Sequence, residues 1–220
     1  MRMKDYAERD GKRVWLSEQE VSLFLDEAKD DPEHRAAFLL AARCGLRRQE
    51  IVDVTSSDLV ANDTGRIVRV WEGKGDKYRE VPCPDELLDV ALGMSRDPGD
   101  PLVSVDPSTI YDWVAATRGR CRARTGDDGW QYVGPHDLRR SWGVRLLESG
   151  VLPSVVMEFG GWDDWQTFRD HYLAEFSPEA IRRERSKIPW LGEGHSTDNT
   201  ESYTALSNST TPSSAGQPRG

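Results

Sequence analysis

Four short stretches of this chain carry side chains suited to handling a phosphate and a proton. In Gly45-Leu46-Arg47-Arg48-Gln49-Glu50-Ile51, Arg47 and Glu50 stand three residues apart and share a helix face. An arginine just past a glycine break can aim its fork into a cleft while the glutamate holds it; the pair also reads as a surface ion pair. In Gly73-Lys74-Gly75 two glycines flank a lysine and let a partner approach closely. That lysine can reach a phosphate or a leaving oxygen, or the turn simply keeps a hairpin soluble. His136-Asp137-Leu138-Arg139 follows Pro135, so an imidazole and a guanidinium project together from a helix start. Such a pair can bind a phosphate oxygen and move a proton, and it also fits a solvated helix end. His136 has no second histidine at i+4, the spacing of a helical metal pair. Gly160-Gly161-Trp162 precedes Arg169-Asp170-His171-Tyr172. Singly, Trp162, Trp165 and Tyr172 read as core or interface aromatics.

A mostly helical scaffold must position these stretches. Residues 1–13 are polar and charged and are expected to form a flexible lead-in. Ser17-Glu18-Gln19-Glu20 is a capping-box pattern, followed by Val21, Phe24, Leu25 and Ala28 at helical spacing. Asp31-Pro32 supplies the cap and first turn of a second helix through Ala42. Gly45 breaks it, and Arg47 to Val54 forms a short third helix. Residues 66–71 and 78–81 alternate with period two around a turn-rich link, which predicts a β-hairpin. Further helices are expected from Asp85 through Leu92, from Asp106-Pro107 through Thr117, and from Pro135 to Ser149 with Gly150 past its end. Val151 to Phe159, Trp165 to Phe176 and a basic stretch to Lys187 complete the series. From Leu191 to Gly220 the composition shifts to Ser, Thr, Gly, Asn and Pro, and a disordered tail over 191–220 is expected. The fold class is mainly α with a small antiparallel β-hairpin or sheet, an α+β domain over 14–190.

Composition narrows the setting. The 220 residues include 29 Lys+Arg against 38 Asp+Glu, a net charge of −9, with a mean hydropathy of −0.66. No apolar run is long enough to span a membrane, and the first residues lack the apolar core of a signal peptide. Cys44, Cys83 and Cys121 are odd in number and widely spaced, so neither a disulfide framework nor a zinc site is expected, and the reading is cytoplasmic. Only 6 of the 29 basic residues are Lys, while 22 of the 38 acids are Asp. That compact carboxylate surface suits concentrated salt, the setting of a halophile. Salt of that strength shortens the reach of exposed charges to about 3 Å at 1 M. A negative net charge then says little against a nucleic-acid partner.

In order, these motifs resemble the catalytic domain of tyrosine recombinases, the phage-integrase family. Gly45 to Ile51 is similar to its first arginine box, and Gly73-Lys74-Gly75 with Arg79 and Val81-Pro82 to its hairpin lysine segment. His136-Asp137-Leu138-Arg139 is similar to its His-x-x-Arg box, and Gly161-Trp162 to its Gly-His/Trp position. Tyr172, ten residues beyond Trp162, resembles its nucleophile. The resemblance implies metal-independent, cofactor-free cleavage and rejoining of double-stranded DNA through a 3′-phosphotyrosyl intermediate. Tyr172 would attack, Arg47 and Arg139 would clamp the phosphorane oxygens, and Trp162 would add a neutral donor. Lys74 would protonate the leaving 5′ oxygen, His136 would accept a proton or bind phosphate, and Glu50 would orient its neighbours. It also implies a dimer or tetramer on DNA. An N-terminal core-binding domain is expected to be absent, since only about 15 residues precede the catalytic domain.

Residues 117–145 hold seven arginines, Arg118, Arg120, Arg122, Arg124, Arg139, Arg140 and Arg145, against three aspartates. A basic stretch within an acidic chain is the expected footprint of phosphate contacts, or else a solvated helix face. Two other functions remain open on sequence alone: an inactive DNA-binding remnant with a regulatory role, and a topoisomerase IB-like nicking and resealing enzyme.

Overall fold

The computed structural model describes residues 1–6, 10–73, 77–169, 172 and 178–191. The chain divides into two units, Met1–Glu175 and Phe176–Gly220. The first opens with strands β1 (Arg2–Asp5) and β2 (Lys12–Trp15), paired antiparallel with Arg2 opposite Trp15 and Asp5 opposite Lys12. This corrects the expectation of a flexible lead-in over 1–13. The paired backbone is fixed from below as well: Val14 N donates to Asp137 Oδ1 at 3.1 Å, and Leu16 N to Ser141 Oγ at 2.8 Å. Those acceptors come from a helix more than a hundred residues away, so local sequence carries little sign of the strands.

Four helices follow their sequence signals closely. In α1 (Glu18–Asp26), Ser17 and Glu20 close the capping box reciprocally, at 3.3 and 2.8 Å. In α2 (Pro32–Ala42), Asp31 Oδ1 accepts from both Glu33 N and His34 N at 3.0 Å, and Pro32 occupies the first turn. The third, α3 (Arg48–Asp53), and α6 (Pro135–Glu148) flank the site. Residues Ala36 to Ala42 are all buried, so α2 forms the centre of the core and packs on α6. Gly45 makes the turn that lets α3 follow so tightly. Its φ is +66°, and a Cβ there would fall 2.1 Å from the Trp142 ring of α6.

A three-stranded antiparallel sheet lies beside this core in the order β3 (Leu59–Asn62), β4 (Gly65–Gly73), β5 (Lys77–Pro82). The β4–β5 hairpin is the expected one, and its register sets Val70 opposite Arg79. Strand β3 adds a partner that four residues without clear alternation do not announce. Helices α4 (Asp85–Gly93), α5 (Thr109–Thr125), α7 (Pro153–Gly160) and the short α8 (Trp165–Phe168) complete the unit. The expected helix over 165–176 is described as helical through Phe168 and at Arg169 and Tyr172, and its other residues lie outside the described set. The second unit carries α9 (Pro178–Ser186), with Arg183 and Arg185 in its last turn, and a 3₁₀ turn at Pro189–Leu191. The tail expected to be disordered runs over 191–220; Leu191 ends the 3₁₀ turn, and 192–220 lie outside the described residues. No described helix is long and apolar enough to cross a membrane.

Candidate active site

The site starts at the Gly45 turn. Arg47 caps α3 in an extended conformation, and Glu50, one turn on, folds back to accept its backbone N–H at 2.7 Å. Arg47 Nη1 donates to Glu50 Oε1 at 2.7 Å. From the sheet, Arg79 on β5 reaches the same carboxylate with both fork nitrogens, Nη1 to Oε1 at 3.0 Å and Nη2 to Oε2 at 2.7 Å. Glu50 is only 3% exposed and Arg79 7%. Burial alone pushes the Glu50 carboxyl up. The hydrogen bonds and charge of Arg79, with those of Arg47, outweigh it and hold the carboxyl at about 2.

Helix α6 supplies Arg139, 1% exposed. Its Nη1 donates to Gly45 O and its Nη2 to Gly160 O, the latter at 2.6 Å. Burial, then the neighbouring charge of Arg47, lowers its guanidinium to about 10, with Tyr172 and Glu50 opposing. Its guanidinium carbon lies 4.4 Å from the Trp162 ring centroid. Trp162 in turn packs against Trp142, Phe168 and Tyr172, at 6.0, 5.3 and 4.6 Å between centroids. Tyr172 completes this aromatic group at 5% exposure. Gly143 of α6 makes room for it, since a Cβ there would lie 2.9 Å from Tyr172 Cε1. Burial raises the Tyr172 hydroxyl, while the charges of Arg139, Arg140 and Arg47 and a hydrogen bond with Arg139 pull it down without cancelling the rise.

These groups border an open cleft of about 550 Å³. Among the described residues, Arg13, Arg47, Arg48, Arg139, Arg140 and His136 line it with Tyr6 and Tyr111, and no described carboxylate does. Arg48 lies over the Tyr111 ring at 4.1 Å and donates to Pro107 O at 3.2 Å. His136 is exposed at the first turn of α6, where the positive end of the helix dipole also faces the cleft. In a protein of net charge −9, this concentration of cations makes the cleft an anion site. Among the described residues no group of three His, Cys, Asp or Glu side chains is placed to hold a metal ion.

Of the expected site residues, Arg47, His136 and Arg139 line the cleft, Glu50 pairs with Arg47, and Trp162 packs against both Arg139 and Tyr172. Lys74 lies outside the described residues. The basic run divides differently. Arg140 reaches the cleft, though it also pairs with buried Asp137. Arg118, Arg120, Arg122 and Arg124 do not line the cleft. Spacing by two on a helix turns successive residues to opposite sides. Arg118 accordingly donates to Val133 O and Arg122 to Asp128, while Arg120 and Arg124 turn to Glu27 at the end of α1. Arg145 pairs with Glu18.

In the sequence Arg79 is legible only as part of the hairpin motif, with no sign of its pairing to Glu50. Tyr6 and Arg13 enter through the β1–β2 hairpin, and their one local sign was the Lys12-Arg13 pair in a charged lead-in.

Comparison with known proteins gives the family. The Phage integrase family model matches residues 14–177. A tyrosine recombinase of Thermosipho africanus is 32% identical over 157 residues, covering 67% of this chain and 52% of that protein. The crystal structure of XerA recombinase superposes with a TM-score of 0.61 at 23% identity, covering 79% of this chain and 62% of that one. The XerH site-specific recombinase bound to its difH substrate gives 0.58 at 18% identity, over 78% of this chain and 53% of that one. The chain spans about half the length of the curated relative it matches. With the motifs in order, the family model matched over residues 14–177 and a relative 32% identical, the chain belongs to the phage integrase family, the tyrosine recombinases.

Proposed function

We propose that this chain is the catalytic part of a site-specific DNA recombinase that breaks and rejoins strands without a metal or cofactor. The observation that carries the reading is the cleft lined by five arginines and His136, with Tyr172 packed against the same Arg139–Trp162 pair. The oxygen of Tyr172 attacks the phosphorus of a backbone phosphodiester. A P–O bond forms to tyrosine as the P–O5′ bond breaks, leaving a 3′-phosphotyrosine and a free 5′-hydroxyl. The tyrosine proton passes to a base at the cleft, for which His136 is the candidate, and the leaving oxygen takes a proton from Lys74. Bond energy is conserved, so a 5′-hydroxyl from another strand reverses the step without ATP.

The five-coordinate phosphorus gathers charge on its non-bridging oxygens. Arg47 and Arg139 are held for that charge by bonds to fixed acceptors, so they need little reorganisation when it develops. A tyrosine of ordinary pKa near 10 is about one part in a thousand ionised at neutral pH. Burial makes Tyr172 harder to ionise, so proton removal must accompany attack. The partners proposed are double-stranded DNA and further copies of the same chain assembled on it as a dimer or tetramer. The setting proposed is a mobile element in a salt-rich cytoplasm, on the strength of the Asp-rich, Lys-poor composition.

The test is a covalent adduct. Wild type and Tyr172→Phe are incubated across a KCl series, without divalent metal, with nicked suicide duplexes covering the sequence that flanks the gene. A denaturant-stable adduct mapping to Tyr172 and lost in the variant is the expected result. DNA binding without adduct favours the inactive remnant. Relaxation of unrelated supercoiled plasmid favours the topoisomerase-like enzyme.

A further inference from the structure

The last three carbonyls leaving α7 each take a different arginine. Phe159 O accepts from Arg79 Nε at 2.9 Å, Gly160 O from Arg139 Nη2 at 2.6 Å, and Gly161 O from Arg47 Nη2 at 3.1 Å. The final turn of a helix presents carbonyls with no partner of their own and the negative end of the dipole, so cations gather there. Two of the three arginines line the cleft. The third, Arg79, does not. It is buried, carries a bidentate pair to Glu50 on one edge, and meets the α7 terminus on the other. Its stem also fills the space behind Gly161, where a Cβ would lie 3.3 Å from Arg79 Cδ.

A buried ion pair is a weak way to stabilise a fold, because desolvating two charges offsets most of their attraction. What the pair does supply is alignment. Glu50 holds Arg79 and Arg47 on the same two oxygens, and the α7 terminus holds Arg79, Arg139 and Arg47 on consecutive carbonyls.

We propose that Arg79 is a positioning residue for strand cleavage: it fixes Glu50 and the α7 terminus together, and through them sets where Arg47 and Arg139 meet the phosphate. The inference rests on the strand-cleavage reading above. It places on β5, outside the cleft, a residue that acts on the reacting phosphate only through others.

Arg79→Lys keeps the charge but cannot bridge both Glu50 oxygens and Phe159 O at once. Single-turnover adduct formation at saturating duplex is expected to fall roughly a hundredfold, the scale of an ångström-sized misplacement at a reacting centre. Duplex affinity and melting temperature are expected to stay close to wild type. A second variant, Arg79→Met, reads the pairing itself. Among the described residues Glu50 then keeps its pair with Arg47 of α3, with Arg139 of α6 more distant and Arg69 of β4 and Asp53 of α3 bordering the same pocket, and burial pushes its carboxyl up. Its cleavage rate is expected to acquire an acid limb at higher pH than in wild type.

Wild-type cleavage by Arg79→Lys overturns the proposal. So does a parallel loss of cleavage, affinity and melting temperature, which marks a purely structural residue. A wild type that forms no adduct overturns the cleavage reading and the inference with it, and this failure is distinct because it precedes any variant.

Discussion

The guanidinium of Arg139 rests on the face of Trp162, 4.4 Å from the ring centroid, while the ring of Tyr172 sits 4.6 Å from the same indole. One aromatic side chain therefore touches both the proposed phosphate clamp and the proposed nucleophile. Sequence reasoning gives Trp162 the role of an N–H donor to phosphate. The packing gives its ring a second role as a platform, and the two are separable. Trp162→Phe keeps an aromatic face and removes the donor, whereas Trp162→Ala removes both. If the platform matters more, Trp162→Phe retains most cleavage and Trp162→Ala loses it. Urea unfolding should show a cost of about 3–5 kcal/mol for Trp162→Ala, as for other large aromatic truncations. Equal loss of cleavage in both variants restores the donor role.

Three glycines distinguish close approach from mere flexibility. At Gly143 a Cβ would press on the Tyr172 ring at 2.9 and 3.0 Å, so Gly143→Ala is expected to displace the tyrosine and slow adduct formation. At Gly45 a Cβ would enter the Trp142 ring, and the φ of +66° adds backbone strain, so Gly45→Ala is expected to be severely destabilising. Gly119 lies within α5 with nothing near its missing Cβ. Gly119→Ala should stabilise the protein by roughly 0.5–1 kcal/mol, the helix-propensity difference. Thermal melts of the three variants beside adduct assays check all three expectations.

Acid should weaken the fold through Glu50. Its carboxyl titrates near 2 in the folded protein against an ordinary value of 4.5. The unfolded chain therefore binds the extra proton across that interval. The stabilisation is complete above about 4.5 and is lost as pH falls toward 2. The linkage amounts to about 3 kcal/mol over that window. Chemical denaturation at a series of acid pH values should show this decline, and Glu50→Gln should remove its share of it. High salt should change the result little, because the group is buried and weakly screened.

Legibility in the sequence followed the range of the interactions. Helices α1 and α2 announce themselves because Ser17, Glu20, Asp31 and Pro32 act within one turn of themselves. The catalytic motifs are legible as types in order, since Arg47, Glu50, His136 and Arg139 are each paired at helical spacing. What binds them to one another is not. Arg79 meets Glu50 across 29 positions and Phe159 across 80, and no local pattern encodes either. The β1–β2 hairpin is ordered by Asp137 and Ser141, so its residues look like a loose polar segment until α6 is in place. The basic run divides between several faces for the opposite reason. Counting charge over 117–145 ignores that a helix spreads alternate residues around its axis.

That difference can be measured as a salt dependence. Each phosphate neutralised by a cationic side chain contributes close to one unit to the slope of log affinity against log salt. Arg47 lines the cleft, so Arg47→Gln should weaken duplex binding and flatten the slope by about one. Arg124 spends its charge on Glu27, off the cleft, so Arg124→Gln should leave both slope and affinity near wild type. Arg122, paired with Asp128, should behave as Arg124 does. Fluorescence anisotropy with a labelled duplex over a KCl titration distinguishes the cases. A slope that drops for Arg122→Gln and Arg124→Gln, but not for Arg47→Gln, would move the DNA path from the cleft to α5. The Asp128 and Glu27 carboxylates would then have to release their arginines or share them with phosphate on binding.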